Sequence, residues 1–224
     1  MSIQDWPEDQ RPRERLIKNG AQTLSDPELL AIFLRTGLPG KNAIELGREL
    51  IQHYGSVAQL FASNFERFSK LHGMGPAKYA QLQAAFELSR RALLNDLSEG
   101  VMLNSPHIVK QYLQLELAQQ SAEVFVCLFL DTQHRLICSK QLFSGTLRHA
   151  NVYPREVVRA ALDHNAAAII FAHNHPCGSA EPSESDFSIT RLLKSALDLI
   201  DVIVVDHIVV SRQSTHSFAE HGQL

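Results

Sequence analysis

Apolar positions in roughly the first hundred residues fall at helical spacing, whereas further on they alternate between helical spacing and short continuous runs. "LSDPELLAIFLRTG" predicts a helix, with Ser25 as N-cap, Glu28 completing a capping box three residues later, and Gly37 as the expected stop. In "KNAIELGRELIQHYG", Ile44, Leu46, Leu50 and Ile51 mark a second helix that ends at Gly55. "SVAQLFAS" and "FERFSKL" read as short helical pieces. "GMGPAKYAQLQAAFELSRRALLND", rich in Ala, Leu and Gln, reads as the longest helix. The first twenty residues hold Pro7, Pro12 and alternating charges, and read as an extended lead-in.

Near residues 95–105 the texture changes, and "NDLSEGVMLNSP" reads as a polar linker. A helix, "SPHIVKQYLQLELAQQ", follows it. "EVFVCLFLD" and "RLICSKQLF" are then strands joined by a turn at "TQH". "PREVVRAALDHNA" is helical, with Pro154 suited to a first turn. "AAIIFAH" is a continuous apolar strand, the pattern expected when both faces are covered. "SESDFSITRLLKSALDLI" is an amphipathic helix, "DVIVVDHIVV" another buried strand, and "HSFAEHG" a short last one. The expected organisation is a helical domain at 1–95, a linker at 96–104, and a domain of helices around a sheet at 105–224.

Composition narrows the function classes. The chain of 224 residues is 45% hydrophobic and 20% charged, with net charge −3. Residues 1–100 hold 12 Lys/Arg and 12 Asp/Glu, so overall charge gives no support to tight nucleic-acid binding. Three scattered cysteines, Cys127, Cys138 and Cys177, argue against a disulfide framework and against a cysteine zinc site. The opening "MSIQDWPEDQRPRERL" is polar, and no apolar run reaches the ~18–20 residues of a membrane span. A cytoplasmic protein without membrane association is the expectation.

The chemistry concentrates in "IIFAHNHPCGSAEPSESD", residues 169–186. Strand side chains alternate faces, so His173 and His175 share one face if the strand continues through Asn174. Pro176 and Gly178 turn the chain, and Ser183 and Asp186 then open a helix. Two imidazoles and a carboxylate form a three-ligand set suited to Zn²⁺, with a fourth position left for water, as in catalytic sites. Taken alone, Ser183 and Asp186 read as a capping box rather than a site.

The string H-x-H-P, six residues, then S-x-x-D resembles the JAMM (MPN-plus) metalloprotease motif. Its surroundings, "GTLRHANVYPREVVRAALDHNAAAIIFAHNHPCGSAEPSESD" and "DHIVV", resemble the RadC family over about residues 102–224. RadC proteins also carry a helical N-terminal domain with a helix-hairpin-helix, similar to residues 1–95 here. The resemblance implies an α/β/α, cytidine-deaminase-like mixed-sheet domain behind a small all-helical one. It implies one zinc per chain on His173, His175 and Asp186, with Ser183 supporting the oxyanion or the water. It also implies a glutamate at the start of an early strand as general base. Glu123 is the best match, and Glu156 is a rival that a helix N-terminus explains as well. The activity implied is zinc-dependent hydrolysis of an amide or isopeptide bond in an unidentified protein or peptide.

One departure is Cys177, where the family commonly has Ser. The thiol is expected to be a small turn residue; the alternatives are response to an oxidant or binding of the ion, which would fill the catalytic position. Asp206 and His207 end a buried run; for His207 a buried structural role is the expectation, with a role as hydrogen-bond partner of a ligand as the alternative. "KLHGMGPAKYAQ" resembles the helix-hairpin-helix pattern, with Gly73 and Gly75 allowing the turn and Lys78 adding a charge for a DNA phosphate. "RTGLPGKNA" resembles a degenerate second copy. Two further functions therefore stand beside the hydrolase. One is a DNA-associated module with a non-catalytic metal domain. The other is a metal-dependent nuclease, for which a lone His/His/Asp site lacks the usual paired metals.

Overall fold

A computed structural model of the chain describes residues 3–98, 106–145, 152–176 and 178–224. The chain divides into two compact units, Met1–Leu88 and Ser89–Leu224.

In the first unit, helix α1 spans Pro12–Asn19. This corrects the extended lead-in: Pro12 occupies the first turn, where its missing N–H costs nothing, and short 3₁₀ turns precede the helix. Helix α2, Asp26–Leu34, starts on the expected capping box of Ser25 and Glu28. It stops earlier than Gly37, because Arg35 turns to φ 63°. Helix α3, Ala43–Tyr54, begins on a second capping box of Asn42 and Glu45 and ends at Gly55 in the left-handed region. The short helices α4, Val57–Phe61, and α5, Phe65–Ser69, lead to α6, Pro76–Ser98, of which the part up to Leu88 belongs to this unit. Leu30, Leu34, Leu46, Leu50, Leu60, Phe68 and Leu82 make the core of this unit. The expected linker, 96–104, is helical as far as Ser98. Its remainder lies outside the described residues.

The second unit contains α7, Pro106–Leu117; β1, Val124–Leu130; β2, Leu136–Ser144; α8, Pro154–Asp163; β3, Ala168–Asn174; α9, Glu184–Asp198; β4, Ile203–Val210; and β5, Thr215–Ser217. The sheet order is β2-β1-β3-β4-β5. Only β3 and β4 are parallel among these pairs; the rest are antiparallel. Every residue of β1 and β3 is buried, as their unbroken apolar runs require.

The period-two alternation of strand side chains sorts this core into two layers. Val124, Val126, Leu128, Ile170 and Ala172 pack with Val109, Tyr112, Leu113 and Leu117 of α7. Phe125, Cys127, Phe129, Ile169 and Phe171 pack with Val157 and Ala161 of α8 and Leu193 and Leu197 of α9. The result is helix, sheet, helix: the α/β/α domain that the family resemblance implies. No helix among the described residues is long and apolar enough to cross a membrane.

Candidate metal centre

β3 delivers both histidines. His173 and Asn174 close the strand and are almost fully buried, while His175 is the next residue and half-buried. His173 pairs with Phe125 across β1, and its ring stacks over that phenyl at 6.4 Å with planes 12° apart. The pair sits on the α9 face of the sheet. Asp186 arrives from the first turn of α9. Nε2 of His173 lies 3.2 Å from Asp186 Oδ1, Nε2 of His175 lies 3.4 Å from Oδ2, and the two Nε2 atoms are 3.1 Å apart. One ligand atom from each residue falls within 4.8 Å of the other two, the arrangement of a metal-binding triad.

The capping box and the triad use the same carboxylate. Ser183 is the N-cap of α9; its backbone N–H donates to Asp186 Oδ2 at 2.7 Å, and its hydroxyl donates to the same oxygen at 2.7 Å. The Asp186 N–H donates back to Ser183 Oγ at 3.3 Å. Reading Ser183 and Asp186 as cap or as site therefore poses no choice: the cap aims the carboxylate.

Hydrogen bonding fixes the tautomers of both imidazoles. The Thr190 hydroxyl donates its only proton to the Asp186 carbonyl at 2.5 Å, so its oxygen accepts from His207 Nδ1–H at 2.6 Å. His207 is fully buried, and burial pushes its pKa well below the ordinary value, so the ring is neutral. Its Nε2 then carries a lone pair and accepts from His173 Nδ1–H at 2.9 Å. That leaves His173 Nε2 without a proton. His175 Nδ1 donates to the Ser179 carbonyl at 3.0 Å, so in the neutral ring Nε2 is bare there too.

Two bare nitrogens and a carboxylate therefore face one another across 3.1–3.4 Å. Such a group needs a positive charge at its centre. Four donors set tetrahedrally about 2.0–2.1 Å from an ion stand about 3.3 Å apart, so these edges fit a zinc-sized ion. The electrostatics of the site point the same way. Its hydrogen bond to Asp186 raises the pKa of His175 against the pull of burial. Burial would raise the Asp186 carboxyl, but His173, His175 and Ser183 outweigh it and hold it well below the usual range.

The remaining predicted residues fall as follows. Glu123 is half-buried and immediately precedes β1; its charge also contributes to the raised pKa of His175. Glu156 lies in the first turn of α8 and pairs with Arg155 and Arg159 at 3.3 and 3.5 Å. Cys177 lies outside the described residues. Gly73 takes φ 76° in the turn between α5 and α6, and a Cβ there would meet Leu38 Cδ2 at 2.3 Å. Gly75 faces open space. Lys78 folds back to donate to the Gly73 carbonyl at 3.0 Å. Thr190 carried no signal in the sequence, because its value depends on β4 bringing His207 beside it.

Known proteins resemble the chain over its full length. The description RadC-like JAB domain matches residues 103–223, and UPF0758 N-terminal matches residues 3–80. A UPF0758 protein of Herminiimonas arsenicoxydans is 59% identical over 224 residues, covering 100% of both chains. Those of Janthinobacterium sp. (strain Marseille) and Ralstonia nicotianae are 58% and 54% identical over 224 residues, again covering 100% of both chains.

Proposed function

The chain belongs to the RadC family of UPF0758 proteins, with a RadC-like JAB domain at its C-terminal end, and from that premise we propose that it is a zinc-dependent hydrolase of amide or isopeptide bonds. The observation that carries this reading is the convergence of two imidazole nitrogens and one carboxylate, with a second carboxylate, Glu123, immediately before β1, whose charge acts on His175. His173, His175 and Asp186 would hold the ion. Among the described residues the site offers three protein donors, the number used by catalytic zinc sites, whereas structural sites close with four. When bound, zinc supplies Lewis-acid polarisation of a carbonyl and brings the pKa of water toward ~7.

The chain's own residues do the rest. Glu123 takes a proton from the attacking water and returns it to the leaving amine. The backbone N–H and the hydroxyl of Ser183 both hold Asp186 Oδ2. The hydroxyl can therefore rotate toward the oxygen that gains charge while the N–H keeps the ligand in place. His207 and Thr190 keep His173 in the tautomer that offers Nε2. The substrate is an unidentified protein or peptide.

The test is metal analysis together with digestion of a peptide and isopeptide mixture, read by mass spectrometry. One zinc per chain, and cleavage abolished in Glu123→Gln, is the expected result. Stoichiometric zinc on an intact fold with no cleaved product would falsify the hydrolase. Contact of DNA with the Gly73–Lys78 turn draws less support, since Lys78 is engaged by the Gly73 carbonyl and Lys41 is paired with Glu49.

A further inference from the structure

We propose that Asn174, between the two histidines, is the positioning residue that sets Glu123 against the metal centre; the inference rests on the hydrolase reading above. The β1–β3 pairing ends at Phe125 and His173. One further step of that register would place Val124 opposite Asn174, and a second would place Glu123 opposite His175. The main chain of β3 leaves β1 there and stays with β4: Asn174 pairs with Val210, and the His175 N–H donates to the Val210 carbonyl at 2.8 Å. The Glu123 carbonyl is held from the β2 side by the Gly145 N–H at 2.8 Å, but the β1–β3 ladder gives no backbone bond beyond Phe125 and His173.

The Asn174 side chain supplies the hold on the β3 side. It is almost fully buried and, by strand alternation, points to the face opposite His173 and His175. Its Oδ1 accepts from the Val124 N–H at 2.7 Å, and its Nδ2 donates to the Ala122 carbonyl at 3.0 Å and the Gln120 carbonyl at 3.4 Å. The amide orientation is determined by its partners, since an N–H needs an acceptor and two carbonyls need donors. The bonds to residues 122 and 124 bracket Glu123 on both sides. With its main chain fixed on the α7 face, the Glu123 side chain is left on the face that carries the imidazoles. The position requires an isosteric pair of one acceptor and one two-proton donor, which among the residues of this size only Asn supplies.

The test uses the full-length protein loaded with zinc or with cobalt, the cobalt form reporting atomic positions through pseudocontact shifts in NMR spectra. In Asn174→Ala we expect full metal stoichiometry, unchanged shifts for Phe171 and Ala172, and altered shifts for Ala122, Glu123 and Val124. On any peptide the wild type cleaves, kcat should fall about 10²-fold with KM unchanged, because a displacement near 1 Å costs that much. Asn174→Asp keeps the shape and the acceptor but turns an oxygen toward two carbonyls, so it should follow the Ala variant. Unaltered Glu123 shifts in both variants overturn the proposal. So does loss of the fold in both, which would make Asn174 a determinant of folding instead. If the wild type cleaves nothing, the hydrolase reading fails on its own, and the shifts still decide the role of Asn174.

Discussion

Nε2 of His207 lies 2.9 Å from Nδ1 of His173 and accepts its proton, so a neutral ring on β4 dictates which nitrogen a ring on β3 presents. Removing that acceptor in His207→Ala leaves a buried N–H unsatisfied and frees the ring to rotate or change tautomer. Zinc affinity should drop about 10–100-fold, measured by competition with a chromophoric chelator. His207→Gln, which retains an acceptor, should recover part of the loss.

Protons and zinc compete at His175. The Asp186 carboxylate raises the pKa of that imidazole in the ion-free protein. A raised folded-state pKa contributes stability that is fully present below the ordinary value, near ~6.5, and lost as pH rises through the folded value. Zinc must displace the same proton, so its affinity should climb with pH through that window and level off above it. His207 works in the opposite sense. Its depressed pKa adds stability above ~6.5 that disappears as pH falls through its folded value. Calorimetry of the ion-free protein against pH, with proton release on zinc addition, checks both signs. A pH-independent affinity across pH 6–8 counts against the assignment.

Cap and ligand can be separated at Asp186. Asp186→Asn keeps an oxygen for the Ser183 N–H but removes the negative charge, so the fold should persist while zinc binding is lost. Ser183→Ala should instead cost about 1 kcal/mol of stability, the usual worth of an N-cap, and leave zinc stoichiometry intact. Thermal melts and metal analysis of the two variants distinguish these outcomes.

At Gly73 the backbone sits at φ 76°, where a Cβ is disfavoured. Gly73→Ala should destabilise the helical unit by about 1–2 kcal/mol, read as a lowered melting temperature. The Leu38 methyl that a new Cβ would meet belongs to a flexible side chain and can move aside, so the strained φ dominates the cost. Gly75→Ala, with open space around it, should cost less.

Much of this was legible in the sequence, and the exceptions share a cause. Capping boxes at Ser25 and Ser183, the apolar runs of β1 and β3, and the spacing of His173, His175 and Asp186 are local patterns, so periodicity and turn chemistry expose them. Helix α1 was hidden because half of its residues, "PRERLIKN", are charged and the prolines around it resemble loop signals. The end of α2 was misplaced by two residues, since Arg35 rather than a glycine takes the positive φ. Thr190, and the three bonds of Asn174, lay beyond reach for a different reason. Their partners are 17 and about 50 residues away, and only the strand pairing says which atoms meet.

The donors are gathered by bonds that belong to the polypeptide itself: Ser183 to Asp186, Thr190 to the Asp186 carbonyl, Thr190 to His207, and His207 to His173. Helix α9 and strands β3 and β4 are thereby latched together by hydrogen bonds that leave the ion-facing atoms free. Such a receptacle is unlike small metal-folded domains, which come apart in chelator. If the triad holds zinc, its removal by chelator should leave helix α9 and strands β3 and β4 joined, so that the ion can return without the chain refolding.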